Sequence, residues 1–257
     1  MKPLFLTLII AVLVLSGSFT HAVEPDDSLV LYLSFDKLEG KKVTDHSNHG
    51  NHGETQGKPE LVKGKFGNAL KFNGTSDWVI IPHHESLTVD EDVTVMAWIN
   101  TERHEGPGGA RWQGILAKSN GPRSYSFYTE IPSTGLHFSV GGSGSVSTGK
   151  VKLDEWQHVV AQIEDGAHIY YINGEPAGDF PGKNPAPGKA DTADALVGKT
   201  HEGSREFLGL IDEVRIWNRA LTEDEVKKQM DMGFDDIFAV DARNKLATTW
   251  GTLKAGR

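Results

Sequence analysis

The stretch Glu206-Phe-Leu-Gly-Leu-Ile-Asp-Glu-Val-Arg-Ile-Trp-Asn-Arg-Ala-Leu-Thr-Glu-Asp-Glu225 constrains this chain more than any other. An apolar, β-prone run ends at Ile216 and Trp217. Asn218 to Thr222 then leads into a helix start in which Thr222 and Glu225, three residues apart, form a capping box. The pattern predicts a buried strand followed by one short terminal helix. Within the strand Asp212 follows Ile211, and a carboxylate among apolar neighbours is costly unless something positive or several donors satisfy it. A bound cation is one solution, and a set of backbone amides is the other.

Elsewhere the dominant hydrophobic period is two. Leu29, Leu31, Leu33 and Phe35 alternate with Val30, Tyr32 and Ser34, and Val93, Val95 and Ala97 alternate with Thr94, Met96 and Trp98. Asp165-Gly166 separates Trp156–Glu164 from His168–Ile172, and Asn173-Gly174 follows directly. Two tight-turn signals in a row predict a meander of three consecutive strands. No stretch before Thr222 has convincing helical periodicity and no βα alternation appears, which argues against an α/β enzyme. With 257 residues, 29 Gly and 11 Pro, the simpler division is one all-β domain of about 200 residues. Residues 45–59, 103–113 and 180–194 read as loops from their Gly, Pro, His and Asn content, and in a sandwich such loops gather at the sheet ends, where binding sites usually lie.

The first 22 residues stand apart. Lys2 precedes an apolar stretch, Leu4 to Leu15, broken only by Thr7, and Thr20-His-Ala22 offers small residues at the positions a signal peptidase reads. This predicts a signal peptide over residues 1–22, cleaved after Ala22, and a protein that is secreted or held at the cell surface. The rival reading, an uncleaved anchor, meets an apolar stretch shorter than the ~20 residues that span a bilayer. Without Lys2 the chain carries 25 basic and 35 acidic residues, a net charge of -10. That balance argues against nucleic acid or an anionic membrane surface as the main partner, and no membrane insertion of the mature chain is expected. There is no cysteine, so the core, and a metal if present, must supply stability. Residues 235–257 follow the helix as a C-terminal tail containing Lys245-Leu-Ala-Thr-Thr-Trp250, readable as a docked tail or as a surface-association signal.

A family resemblance rests on an ordered series of segments: Leu31-Tyr-Leu-Ser-Phe-Asp36, Asp45-His-Ser-Asn-His-Gly-Asn-His-Gly53, Gly67-Asn-Ala-Leu-Lys-Phe-Asn-Gly74, Val93-Thr-Val-Met-Ala-Trp98, Trp156-Gln-His-Val-Val160, Tyr171-Ile-Asn-Gly174 and the 206–225 stretch. Together they resemble the laminin G-like, concanavalin A-like family of bacterial extracellular proteins over residues 28–230. The resemblance implies an all-β fold, a two-sheet antiparallel jelly-roll sandwich with one short C-terminal helix, placed here at residues 23–234. It further implies a module that binds glycans or proteins, commonly with calcium, and does not imply catalysis.

Calcium takes six to eight oxygen ligands that need not be close in sequence. Asp36 closes the first strand, residues 48–53 form a turn whose glycines expose carbonyls, and Asp212 sits in the last long strand. Carry-over from the family supports Asp36, Asn51 and Asp212 as ligands of a structural calcium ion, with Asp45 beside them. The alternative is that Asp36 and Asp45 are ordinary turn formers and that Asp212 is satisfied by amides. His46, His49 and His52 invite a zinc reading; the weightier one is that they are solvent-facing substitutes in the same turn.

No pair of carboxylates at alternating strand positions marks a glycosidase. Asp212 and Glu213 are adjacent, and adjacent residues of a strand point to opposite faces. No nucleophile elbow, zinc-helix motif or phosphate loop occurs. A glycan needs aromatic platforms with polar donors beside them. Trp112 with Arg111 and His104 lies in a Gly-rich loop, and Tyr125, Tyr128 and His137 lie on strands that can line a sheet face. Trp98, Trp156 and Trp217 sit in apolar β patterns that read as packing, and the family suggests burial of Trp78. The expectation is a secreted non-catalytic recognition module, carbohydrate-binding, with structural calcium. Its partner is a glycan or an extracellular protein. The alternatives are a protein-interaction or cell-surface structural module and an unrecognised glycoside hydrolase or lyase.

Overall fold

The computed structural model describes residues 26–89, 91–118, 124–141, 147–181 and 192–237; the expected signal peptide, residues 1–22, and positions 238–257 of the expected tail lie outside the described residues. The strands are β1 (Leu29–Leu33), β2 (Leu38–Glu39), β3 (Lys42–Val43), β4 (Gly53–Gln56), β5 (Glu60–Lys63), β6 (Asn68–Asn73), β7 (Trp78–Ile81), β8 (Val93–Thr101), β9 (Trp112–Lys118), β10 (Tyr125–Glu130), β11 (Leu136–Val140), β12 (Ser147–Thr148), β13 (Gln157–Glu164), β14 (Ala167–Ile172), β15 (Glu175–Phe180), β16 (Ala195–Val197) and β17 (Leu208–Trp217). They form two antiparallel sheets. One has the order β15-β14-β13-β8-β17-β6-β5, with β1 added against β17; the other runs β12-β11-β10-β9-β16-β7-β4-β3-β2.

Period-two patterning produces this sandwich because each strand offers one apolar face to the layer between the sheets. Val30, Leu33, Phe72, Val95 and Ile99 from the first sheet meet Val79, Ile81, Ile115, Phe127 and Phe138 from the second. Each such side chain contributes roughly 1.5–3 kcal/mol on burial. The expected meander is β13-β14-β15. Its turns have positive φ at both central residues, Asp165 (48°) with Gly166 (82°) and Asn173 (53°) with Gly174 (76°), as the right-handed strand twist favours.

The outer face of the eight-stranded sheet is covered. Helix α1 (Glu223–Met230) begins with the capping box read from the sequence: Thr222 Oγ1 accepts from the Glu225 amide while the Glu225 carboxylate accepts from the Thr222 amide. Val226 and Leu221 lie over Leu29, Tyr32, Met96, Val160 and Trp217, a second apolar cluster. Arg219 locks this arrangement. Its guanidinium donates to both carboxylate oxygens of Glu225 (2.7 and 3.0 Å) and to Asp26 (2.9 Å).

A β-bulge in β17 sets the chemistry of that face. Asp212 stands opposite Trp98 and Arg215 opposite Met96, so three steps along β17 match two along β8. Glu213 takes a left-handed φ of 52°, the extra residue of such a bulge. Ile211, Val214 and Ile216 all remain in the intersheet core, which leaves Asp212 and Glu213 together on the outer side. The sequence-based expectation that they face opposite ways is thereby corrected. On its other edge β17 pairs with β6 through residues 208–211 and with β1 through residues 214–217, so both carboxylates lie where one neighbour ends and the next begins.

Candidate functional site

The outer face of the nine-stranded sheet gathers an aromatic and charged cluster. Trp112 opens β9 and pairs with Glu130 of β10; Tyr128 of β10 stands between Gly114 of β9 and His137 of β11. The ring of His137 is 5.7 Å from that of Tyr128 and 6.1 Å from that of Trp112, and His137 Nδ1 is 2.9 Å from Ser147 Oγ. Thr200 comes so close above Gly114 that a Cβ there would meet its methyl group; any larger residue would force the 199–200 segment off the sheet.

Two guanidinium groups flank Trp112. That of Arg111 lies 5.0 Å from the ring centroid and that of Arg205 lies 4.6 Å away, the latter also 5.4 Å from the Tyr128 ring. Both cations are anchored: Arg111 Nε donates to Glu130 (2.9 Å), and Arg205 pairs with Glu202 (3.1 Å). Burial pushes the Glu130 carboxyl up, but hydrogen bonds from Ser147, Ser133 and Arg111 outweigh it and hold the group below its ordinary range. Glu130 is therefore a fixed anion. Trp112 is half-buried, yet its Nε1, together with Ser126 Oγ and Thr200 Oγ1, is buried without a hydrogen-bond partner. Orphaned polar atoms of this kind are uncommon, and here three fall on one sheet face beside an aromatic platform.

The structure thus brings Trp112, Arg111, Tyr128 and His137 together. It removes two residues from the expected set. Tyr125, three positions before Tyr128, faces the intersheet core, and its hydroxyl donates to the Leu87 carbonyl (3.1 Å); burial pushes its phenol far above the ordinary range. His104 turns to the Val151 carbonyl (2.7 Å), away from the cluster. Arg205 and Glu130 were missed. Glu130 is legible from its alternation with Tyr128, whereas Arg205 arrives from a connecting segment with no local signal.

The residues expected to hold a cation divide into two groups. Asp45 accepts from the amides of Tyr32, Ser47 and Asn51 and from Ser47 Oγ, at 2.6–3.0 Å, and Asn51 Nδ2 donates to Val30 O and Ser86 Oγ. Asp45 acts there as a backbone clamp, with its oxygens already engaged. Asp212 and Asp36 lie at the other place, on either side of the 64–67 turn. Asp212 Oδ2 accepts from the amides of Lys65 (3.0 Å) and Phe66 (3.1 Å), and Asp36 Oδ1 accepts from the Asn68 amide (2.9 Å). Asp212 Oδ1 and Glu213 Oε1 are buried and unpartnered. Burial, then the neighbouring Glu213, push the Asp212 carboxyl up to about 8, with Asp36 adding to the repulsion. Glu213 is raised by burial in spite of its pairing with Arg215 (2.5 Å) and a hydrogen bond from Tyr32 (2.7 Å). Orphaned carboxylate oxygens in a region of excess negative charge fit a hard cation. Among the described residues no three His, Asp or Glu side chains come together as a group that could hold a metal ion, so backbone carbonyls or water would have to supply most of the shell. Of the histidines, His46 packs on Phe234 (4.3 Å) and His52 Nδ1 accepts from the Asp45 amide (3.1 Å).

Two antiparallel sheets enclosing one core, with ligand-type groups on an outer face, define a concanavalin A-like sandwich. The chain belongs to the concanavalin A-like lectin/glucanases superfamily, whose family model matches residues 73–227. Among curated proteins it is similar to adhesion G-protein coupled receptor V1 of Danio rerio, 23% identical over 232 residues covering 83% of this chain and 3% of that protein. The chain therefore spans a small fraction of that relative. Among solved structures it is similar to the binding domain of Paraclostridial Mosquitocidal Protein 1, with a TM-score of 0.64, 17% identity, and coverage of 79% of this chain and 52% of that one. Domain 4 of AbnA, a GH43 extracellular arabinanase from Geobacillus stearothermophilus in complex with arabinotriose, gives a TM-score of 0.59 at 21% identity, covering 79% and 98%. Trypanosoma rangeli sialidase in complex with sialic acid gives 0.62 at 19% identity, covering 82% and 34%. At these identities the likeness shows the fold. Among the described residues no helix is long and apolar enough to cross a membrane.

Proposed function

We propose that the protein is an exported, non-catalytic recognition module that binds carbohydrate on the outer face of its nine-stranded sheet. The observation that carries this reading is the half-buried Trp112 ring with the Arg111 and Arg205 guanidinium groups 5.0 and 4.6 Å from its centroid and the His137 ring beside it. Sugars present C–H faces that stack on aromatics and hydroxyls that both donate and accept. Arabinotriose in the complex of the arabinanase domain, which this chain matches over almost its whole length, supports the choice of ligand class. The paired carboxylates needed for glycoside hydrolysis must flank an accessible bond; Asp212 and Glu213 are buried to within 1%, and Glu130 is spent on Arg111. A glycan array probed with wild type, Trp112→Ala and Arg205→Ala tests the reading. Binding to a defined glycan that is lost in Trp112→Ala supports it. Identical array profiles for all three proteins would refute it.

We further propose a structural calcium ion at Asp36 and Asp212, with backbone carbonyls and water completing its shell. The ion would neutralise the buried negative charge at the gap between β1 and β6. Asp36 follows β1, Asn68 opens β6 and Asp212 belongs to β17, so these residues tie three strands together around that gap.

A further inference from the structure

The eight-stranded sheet carries a concavity that the preceding reading leaves unused. Beside the C-terminal end of α1, a depression of about 480 Å³ lies between Phe66, Trp98, Trp156 and Met230, with Lys65, Asn173 and Asp231 completing its wall. This volume is in the range of small-ligand sites. The sequence pattern reads Trp156 as packing, yet it is half-buried, as is Phe66. Three aromatic side chains thus share one open depression.

The walls are held in place. Trp98 Nε1 donates to the Met230 carbonyl (3.2 Å), which fixes the indole against the helix end. Phe66 meets Trp98 edge-on at 6.3 Å, and the Lys65 ammonium stands 4.1 Å from the Trp98 centroid. The Lys65 and Phe66 amides are pinned to Asp212, and Asn173 exchanges two backbone-level bonds with His158: its Oδ1 accepts from the His158 amide (2.9 Å) and its amide donates to the His158 carbonyl (2.8 Å). Next to Trp98, its ring 5.4 Å away, His158 is 1% exposed and its Nδ1 has no partner.

The polar wall supplies an ammonium donor, a carboxylate acceptor and the Asn173 side-chain amide nitrogen as a further donor, its oxygen being held by the His158 amide. A purely apolar guest would leave all three unanswered, an anion would meet Asp231 and a cation would meet Lys65. A neutral ring bearing hydroxyls answers each, because every hydroxyl donates and accepts while its C–H face lies on an aromatic. We propose that this depression is a second carbohydrate subsite, separate from the Trp112 face, that takes one neutral sugar ring against Trp156 and Phe66. The proposal rests on the protein being a carbohydrate-binding module but not on where the first site lies.

Saturation-transfer NMR of the full chain, with the methyl glycosides of glucose, galactose, mannose, xylose and arabinose as probes, tests it. The expected result is transfer to at least one methyl glycoside that persists in Trp112→Ala and is lost when Trp156→Ala is added to Trp112→Ala. Asp231→Ala, at an exposed position, added to Trp112→Ala decides the matter if that double variant does not fold. No transfer from folded Trp112→Ala, or transfer that survives in the folded double variant, overturns the subsite. Failure of the first site reads differently: transfer would then be unchanged by Trp112→Ala and abolished by Trp156→Ala alone, whereas with both sites present each single variant keeps transfer.

Discussion

Asp212 and Glu213 project from the same face of β17, although consecutive residues of a regular strand point to opposite sides. The left-handed backbone at Glu213 turns a neutral alternation into a buried pair of carboxylates, and Arg215 answers only one of them. The uncompensated charge is the reason for expecting a cation. Thermal unfolding of the protein in excess chelator and then in calcium should show a reversible rise in Tm with calcium, about 2.7 kcal/mol at a hundredfold excess over Kd. The rise should vanish in Asp212→Ala. An unchanged Tm, with no calcium found by elemental analysis, would sink the site.

Removing Arg215 should be far more damaging than a surface change. Its guanidinium is 1% exposed, pairs with Glu213, and donates to the Gln229 and Met232 carbonyls. Arg215→Ala strands a buried carboxylate, and breaking such a pair costs roughly 3–5 kcal/mol. Urea denaturation should show that loss. Glu213→Gln combined with Arg215→Met should lose less than Arg215→Ala alone; an equal or larger loss would mean that the helix-end carbonyls, not Glu213, are what Arg215 serves.

Tyr125 and Tyr128 should separate stability from recognition. Tyr125→Phe deletes the bond to Leu87 O inside the core and should cost about 1 kcal/mol with glycan binding unchanged. Tyr128→Phe removes a hydroxyl 3.4 Å from Arg205 Nη1 on the proposed binding face, and its array signal should fall. A reversed pattern would exclude this assignment of faces.

His158 should give the fold an acid-sensitive component. Burial, then Arg215 and Lys65, depress its pKa to about 3 from an ordinary value of 6.5. In the unfolded chain the ring takes up a proton below about pH 6.5, while the folded chain refuses it until about pH 3. The contribution is thus complete above pH 6.5 and is lost as pH falls through that window, on the order of a few kcal/mol at about 1.4 kcal/mol per unit. Asp212, with its raised pKa, acts in the opposite sense, so the comparison must be between variants. Wild type should lose stability more steeply than His158→Phe between pH 6.5 and pH 3; parallel curves would count against a neutral buried ring.

What the residue pattern made legible follows from what is periodic. Alternation in residues 29–35 and 93–98, the paired Asp-Gly and Asn-Gly turns and the Thr222–Glu225 box are local signals, and the strands, meander and helix formed where those signals lie. The bulge at Glu213 is set by pairing to β8 across the sheet, which no local pattern records. Tyr125 and Tyr128 differ by an odd number of positions, so parity alone was enough to place them on opposite faces. Trp156 misled because an apolar neighbourhood cannot show that a strand starts beside an open depression. Arg205 reaches Trp112 only through the packing of the 199–207 connection over Gly114. Asp45 carried the right residue type for a metal but is saturated by amides that folding brings to it.

The Arg219 latch has a mechanical consequence. Leu29 at the start of β1 pairs with Trp217 at the end of β17, so tension applied at residues 26 and 225 would peel this ladder one rung at a time instead of shearing all rungs together. Arg219, gripping Asp26 and Glu225 at once, bridges the point where peeling would begin. A single side chain thus spans the corner from which the first strand would lift away.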